Sequence, residues 1–289
     1  MKKRILYLND CSSCHSGSEA VTQVIIKLLE NLYDNCEIIS IDRGSHRKFT
    51  QFDDINLIVV NGEGAPHHNA ADFCDLLSYI FNIQKPKYLL NSVFYKMTIE
   101  KKYLEQFIKI YTREVISQKE LYDNYGISSI LHLDLSFYYY TFEKEKEYYY
   151  NEKFNNKILL TDFNQFSVKI RDVIKILQNN NVDYTEYYGH FKIESWGENM
   201  NNFKNGRIII TDKQHVMINC IVANAKFIAF TSNTPKNEGI MQTLDCKIPI
   251  MKSIEQFENE LHKFLSGYYD DEFITLFRNA SLTQFNVVL

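Results

Sequence analysis

The feature that most constrains the fold is a regular alternation of short apolar runs with amphipathic segments. ILYL at 5–8 is a strand-type run, and apolar residues in the segment 19–33 then recur three and four positions apart, on one face of a helix. These residues are Val21, Val24, Ile25, Leu28, Leu29 and Leu32. The runs at 37–41 and 55–60 are almost continuously apolar, which is typical of strands buried on both faces of a parallel sheet. The pattern predicts an α/β fold with a doubly wound parallel sheet.

The alternation runs through the chain twice and is interrupted by a tyrosine-rich, charged stretch at 137–156. We therefore predict two Rossmann-like doubly wound domains facing a central cleft. The first spans 1–140 and the second spans 157–289 and ends in a helical tail, with a linker at 141–156. A domain-swap strand, or an aromatic patch at a membrane surface, is the alternative interpretation of the tyrosine-rich stretch.

Composition narrows the classes of partner and compartment. The net charge of −4 over 289 residues provides no electrostatic basis for nucleic-acid binding. The chain contains no apolar run of 18 residues, and the apolar run after the basic N-terminus is too short for a secretory signal. We expect a cytoplasmic protein without a transmembrane segment, with peripheral association at the inner face of the membrane left open.

The spacing Cys11-x-x-Cys14-His15 is that of covalent haem attachment, and it could also belong to a metal site or a redox pair. A zinc site would need a second pair of ligands, and haem attachment would need export. A haem- or metal-binding module is therefore a remote alternative. We expect Cys11 and Cys14 to be reduced loop residues and the protein to hold no metal.

Loops that follow strands carry the candidate binding residues, because ligands of open α/β sheets bind outside the carboxyl ends of the strands. In the first such loop Asp10 is followed by Ser16, Gly17 and Ser18 at the start of a helix, where free N–H groups favour an anion. An N-cap that serves only the helix is the alternative. The second loop places Glu63 between two glycines; its candidates are Asn61, Gly62, Glu63, Gly64 and His68.

Further candidates follow later strands. Arg113 and Glu114 could bind a ligand anion, although a structural ion pair is the preferred interpretation. His215 could act as a general acid or base, and Lys213 could hold an anion. One βα unit later, a polar turn could present donors to phosphate; its candidates are Ser232, Asn233 and Lys236.

Taken in order, these segments resemble the polysaccharide pyruvyl transferase family. The first half contains N-D-x-S at 9–12, N-G-E-G-x-x-H-H at 61–68, and L-x-N-S at 89–92, which adds Asn91 to the candidates. It continues with R-E-x-x-S at 113–117 and D-L-S-F at 134–137. The second half contains T-D-K-Q-H at 211–215, where the family has T-G-R-x-H, and S-N-x-x-K-x-E-G at 232–239.

The resemblance implies a two-domain, glycosyltransferase-B-like (GT-B-like) transferase of bacterial surface-polysaccharide biosynthesis, such as that of capsule or lipopolysaccharide. The family transfers enolpyruvyl from phosphoenolpyruvate to a pair of sugar hydroxyls. His215 and Glu63 would then be catalytic, and the anion-binding residues would hold the donor. Asp212 and Lys213 replace the family's Gly and Arg, and Lys lacks the two-pronged guanidinium. A GT-B glycosyltransferase using a nucleotide-activated sugar is therefore the alternative. In either case we expect no resident cofactor, and the partners are a small-molecule donor and a saccharide acceptor.

Overall fold

A computed structural model describes residues 2–63, 67–142, 150–161, 163, 168–188, 194–283, 287 and 289. The chain divides into two compact units. The first unit comprises Met1–Cys14, Ser18–Phe142 and Phe285–Leu289, and the second comprises His15–Gly17 and Glu143–Gln284.

The first unit contains a six-stranded sheet in which every pair of neighbouring strands is parallel. The strands are β1 (Lys3–Asp10), β2 (Cys36–Asp42), β3 (Leu57–Asn61), β4 (Lys87–Ser92), β5 (Lys109–Thr112) and β6 (Ile130–Leu131). Their order is β2-β1-β3-β4-β5-β6. Residues 5–8 and the whole of β3 are buried, as the continuous apolar runs predicted.

Helices connect these strands, as the alternation predicted. They are α1 (Ser16–Leu32), α2 (Ala71–Ile80), α3 (Lys102–Glu105), α4 (Val115–Tyr125) and α5 (Tyr139–Phe142). Five of the six apolar residues predicted for the buried face of α1 are buried, whereas Leu32, the last residue of the helix, is 41% exposed. Helix α4 ends at Gly126, whose φ of 63° is the left-handed conformation that a glycine C-cap adopts.

The second unit contains a four-stranded parallel sheet in the order β10-β9-β7-β8. The strands are β7 (Ile158–Thr161), β8 (Tyr184–Tyr187), β9 (Ile208–Thr211) and β10 (Phe227–Ala229). The helices are α6 (Ile170–Asn179), α7 (Trp196–Asn205), α8 (Gln214–Val222), α9 (Lys236–Thr243), α10 (Ile254–Leu265) and α11 (Asp270–Leu282). The last two helices of the chain are α10 and α11.

The structure differs from the sequence pattern at one apolar segment. The run at 247–250 reads as a strand, but here only Met251 forms an isolated parallel bridge, to Phe230. Pro249 lacks the N–H that a continuous ladder needs, which limits pairing along this segment. Among the described residues, no helix has both the length and the apolarity needed to cross a membrane.

Candidate functional site

In each sheet the strand order reverses between two neighbouring strands. The reversal lies between β1 and β3 in the first unit, because β2 and β3 lie on opposite sides of β1. In the second unit it lies between β7 and β9 for the same reason. Ligands of open α/β sheets bind at such points, outside the carboxyl ends of the strands. The loops after β1, β3 and β9 contain predicted site residues.

Asn9 ties together the two loops of the first unit. Its φ of 64° is left-handed, a conformation that Asn tolerates better than most residues. The Asn9 side chain donates hydrogen bonds to the carbonyls of Asn61 (2.6 Å) and Glu63 (3.4 Å). The Asn61 carboxamide oxygen in turn accepts from the Glu63 N–H at 3.0 Å. Asn9 is the first residue of the N-D-x-S segment, but it was not among the predicted site residues.

The structure brings two predicted residues, Ser18 and Glu63, into direct contact. The Ser18 hydroxyl donates to a Glu63 carboxylate oxygen at 2.7 Å, and both residues are buried. Gly62 lies against Ser92: a Cβ on Gly62 would be 2.5 Å from the Ser92 Cβ and 2.7 Å from its Cα. Only glycine fits there, so the turn that places Glu63 depends on this residue type.

Asp10 anchors the end of β1. Its carboxylate accepts from the Ser12 N–H at 2.8 Å, the Thr22 hydroxyl at 3.1 Å and the Ser40 hydroxyl at 2.5 Å. Burial disfavours the charged carboxylate, but these hydrogen bonds outweigh that effect and lower the pKa of Asp10. The predicted cleft residue therefore stabilises the loop.

Asn91 and Arg113 are buried in the first unit, where each contacts the segment at 134–135. The carboxamide oxygen of Asn91 accepts from the Leu135 N–H at 2.9 Å, and Asn91 is fully buried. A guanidinium nitrogen of Arg113 lies 2.6 Å from an Asp134 carboxylate oxygen, and both side chains are buried. The preferred interpretation of Arg113, a structural ion pair, matches this geometry.

Glu114 is the N-cap of α4. Its carboxylate accepts from the N–H groups of Ile116 (2.6 Å) and Ser117 (2.9 Å), satisfying two of the unpaired donors of the first turn. Burial raises the pKa of Glu114 in spite of these hydrogen bonds. In this structure Glu114 caps α4.

His68 lies in the loop after β3, and its side chain is exposed. Its ring packs edge-to-face on that of Tyr95, with centroids 5.2 Å apart. Gly64, another predicted member of this loop, lies outside the described residues.

The loop after β9 is buried although every residue in it is polar. Asp212, Lys213, Gln214 and His215 are at most 7% exposed, and the Lys213 N–H donates to the Thr211 hydroxyl at 3.0 Å. Helix α8 therefore begins directly after a buried lysine, at the strand-order reversal. A cation and helix N–H groups together favour an anionic ligand.

His215 is enclosed by residues that belong to the same unit. Its ring centroid lies 5.0 Å from that of His15 and 6.3 Å from that of Trp196. A Cβ on Gly17 would be 2.3 Å from His215 Cγ, so this approach is possible only because residue 17 is glycine. The Ser16 hydroxyl accepts a 3.4 Å hydrogen bond from the Asn199 side chain. Thus Gly17 lies directly against the predicted acid–base residue, and Ser16 is held by Asn199.

The loop after β10 carries the remaining predicted residues. The Asn233 carboxamide oxygen accepts from the Lys236 ammonium at 2.9 Å and from the Ser232 hydroxyl at 3.3 Å. Lys236 is also the first residue of α9, so the three residues meet at a helix N-terminus. Asn237 fastens the loop by donating to the Phe230 carbonyl at 2.8 Å.

Sequence reasoning missed α7 and the residues that it contributes. Ser195 and Glu198 form a capping box at its start, a signal readable from the S-x-x-E spacing. Asn199 follows one residue later and donates to Ser16, and Trp196 packs on His215.

No described protein family matches the chain, and no curated protein matches it in sequence.

Solved structures match it in fold. The UDP-GlcNAc 2-epimerase of Methanocaldococcus jannaschii, in complex with UDP-GlcNAc and UDP, has a TM-score of 0.60 at 11% identity, covering 92% of this chain and 93% of its own. The Neisseria meningitidis UDP-GlcNAc 2-epimerase bound to UDP-GlcNAc has a TM-score of 0.61 at 6% identity, covering 96% and 94%. The glycotransferase of kitacinnamycin has a TM-score of 0.52 at 7% identity, covering 97% and 96%. At such identities the likeness establishes the fold alone: the chain has an α/β, GT-B-type fold with Rossmann-like parallel sheets.

Proposed function

We propose that this protein is an enzyme of the GT-B type that takes a nucleotide-activated sugar as its donor substrate. The observation that carries the proposal is the carboxyl edge of the second sheet. There Lys213 and Lys236 stand at the starts of α8 and α9, beside N–H groups that point out of each helix. Two cations and two helix N-termini complement a diphosphate.

The other second-unit residues have roles that follow from this placement. Ser232 and Asn233 would donate or orient hydrogen bonds at the phosphates, and His215 would move a proton as a general acid or base. The structures of M. jannaschii and N. meningitidis epimerases contain UDP-GlcNAc, and the same ligand class is proposed for this chain. The saccharide acceptor, the catalytic role of Glu63 and action on surface polysaccharide at the cytoplasmic face of the membrane belong to the same proposal.

Enolpyruvyl transfer from phosphoenolpyruvate is the second candidate. The ordered motifs of the pyruvyl transferase family, with His215 retained, favour it. The replacement of the family's Gly and Arg by Asp212 and Lys213 weighs against it, because Lys lacks the planar guanidinium that grips a carboxylate or phosphate at two points.

Thermal unfolding of the full chain with UDP, GDP, CMP, UDP-GlcNAc or phosphoenolpyruvate separates the two candidates. Ligand at roughly 100 times its Kd stabilises the folded state by about 2.7 kcal/mol. We expect at least one of the nucleotides or the nucleotide sugar to raise the unfolding temperature. Stabilisation by phosphoenolpyruvate alone would defeat the nucleotide-sugar proposal and support the second candidate.

The variant Lys213→Met tests the anion site directly, because it removes the charge and keeps the length of the side chain. We expect it to weaken binding of the stabilising nucleotide by about tenfold or more, since a buried charge-assisted hydrogen bond contributes roughly 1.5–3 kcal/mol. Lys175→Met, in which an exposed lysine of α6 is replaced, is the control and should bind as the wild type does. Equal affinities of the two variants would contradict the role of Lys213.

A further inference from the structure

The CSSC segment forms a tight turn between β1 and α1. The Cys14 N–H donates to the Cys11 carbonyl at 2.8 Å, the hydrogen bond that closes a four-residue β-turn. Such a turn brings its first and last Cα atoms within about 7 Å. A disulfide needs a Cα separation of about 4.4–6.8 Å, so the backbone is already compatible with a bridge.

The two thiols contact each other through a hydrogen bond. Cys11 also donates from its sulfur to the Asn9 carbonyl at 3.4 Å, which holds it inside the first unit. No disulfide joins the two sulfurs, so both cysteines are in the thiol form. None of the other four cysteines has a second cysteine at this spacing.

The two thiols differ in exposure, and this difference indicates which of them reacts first. Cys14 is exposed, whereas Cys11 is only 2% exposed. The hydrogen bond with Cys14 and burial both raise the pKa of the Cys11 thiol. Since the thiolate is the nucleophile in exchange, the accessible Cys14 is the sulfur that reacts first.

We propose that Cys11 and Cys14 form a reversible disulfide, a thiol–disulfide exchange site whose partner is a low-molecular-weight disulfide such as oxidised glutathione. The Cys14 thiolate attacks one sulfur of glutathione disulfide and releases the first glutathione as a thiolate. Cys11 then gives up its proton and attacks the Cys14 sulfur of the mixed disulfide. The second glutathione leaves with the electron pair of the broken S–S bond. The dithiol has lost two electrons and two protons, and the products are one protein disulfide and two molecules of glutathione.

The inference does not rest on the proposed function, because it concerns sulfur chemistry within the turn alone. Its consequence is local: oxidation removes the S–H group that Cys11 donates to Asn9, the residue that ties the loops after β1 and β3.

The experiment treats the reduced full chain with oxidised glutathione, alkylates the remaining thiols and maps both cysteines by peptide mass. In the wild type we expect Cys11 and Cys14 to be joined, with loss of two hydrogens and of both alkylation sites, and dithiothreitol should restore both. In Cys11→Ser, glutathione should remain attached to Cys14, because no second thiol displaces it. In Cys14→Ser, Cys11 should stay an alkylatable thiol. Cys36→Ser, with the pair intact, is the control and should behave as the wild type does.

Two results would overturn the proposal. One is wild-type protein in which glutathione persists on Cys14 while Cys11 is still alkylated. The other is wild-type protein in which neither cysteine changes at a glutathione ratio that oxidises an exposed dithiol peptide of the same sequence. Both results come from wild-type protein, so poor folding of a variant does not affect the decision.

Discussion

Among single residues, Asp10 shows how a buried carboxylate can shape a loop without touching a ligand. Three donors from different parts of the first unit converge on it: the Ser12 N–H and the Thr22 and Ser40 hydroxyls. Because each donor favours the charged form, the carboxylate is held ionised despite burial. The loop after β1 is therefore coupled to the protonation of this group.

The variant Asp10→Asn tests that coupling. An aspartate in the unfolded chain titrates near pH 3.9, and the folded pKa of Asp10 is lower. The stabilisation from the carboxylate is thus complete above about pH 4 and is lost as pH falls through the folded pKa. We expect the variant to lose roughly 2 kcal/mol of unfolding free energy at neutral pH. The difference should shrink as urea unfolding is measured at pH values below about 4.

Asp42→Asn is the matched control, since Asp42 is the partner of Asp10 in the pairing of β1 and β2 but is exposed. A deficit in Asp10→Asn that stays constant across the pH range would show that the charge of the carboxylate is not what stabilises the loop.

Gly17 is the second residue whose identity is constrained by its surroundings, because there is no room for a Cβ. The Cβ of Gly17→Ala would overlap the His215 side chain, so the imidazole or the helix start must shift. We expect a loss of about 1–3 kcal/mol of stability from overpacking, together with weaker nucleotide binding. Gly44→Ala is the comparison, because its Cβ meets nothing within 4 Å and only the left-handed backbone opposes the substitution. Unchanged nucleotide affinity in Gly17→Ala would remove His215 from the proposed site.

At the scale of elements, the helices that carry site residues begin in different ways. Helix α4 is capped by the Glu114 carboxylate, and α7 by the capping box of Ser195 and Glu198. Helices α8 and α9 begin without a side-chain cap hydrogen bond. Those two helices carry the proposed anion-binding residues, which fits N-termini that are available to a ligand.

The variant Ser195→Ala tests the contribution of the capping box to α7. We expect a loss of about 1 kcal/mol, because the N–H groups at the helix start lose a side-chain acceptor. Hydrogen exchange in the first turn of α7 should also become faster. Ser281→Ala in α11 is the control, since this serine lies in the last turn of its helix and caps no helix N-terminus. If both variants have the same stability, the capping box does not hold α7.

At the scale of the molecule, the two units should respond differently to a nucleotide. The proposed diphosphate site uses only residues of the second unit, at the starts of α8 and α9. We expect the nucleotide that stabilises the chain to slow hydrogen exchange in α8 and α9 more than in β2 and α2 of the first unit. Exchange mapped by peptide mass, with and without nucleotide, gives the comparison. Protection confined to the first unit would move the donor site away from Lys213 and Lys236.

Periodicity predicted most of the elements, because apolar spacing reports directly on which side of a strand or helix is buried. The buried runs of β1 and β3 and the buried face of α1 follow directly from that spacing. Helix α7 was missed because its capping box stands in a polar segment without a long apolar stripe. The loops of the candidate site were predicted, but the roles of their residues were not. A polar residue after a strand can cap a helix, form an ion pair or bind a ligand, and its neighbours in sequence do not show which of these it does.

The sequence by itself determined the α/β alternation and the loops that hold polar side chains, since both depend on local spacing. Only the tertiary structure decided the use of those side chains, because their partners are far apart along the chain. Glu114 caps a helix and Arg113 pairs with Asp134, whereas Gly17 allows the start of α1 to approach His215. The pairing of strands far apart in sequence also sets the strand order, and it places the reversals between β1 and β3 and between β7 and β9, where ligands bind open α/β sheets.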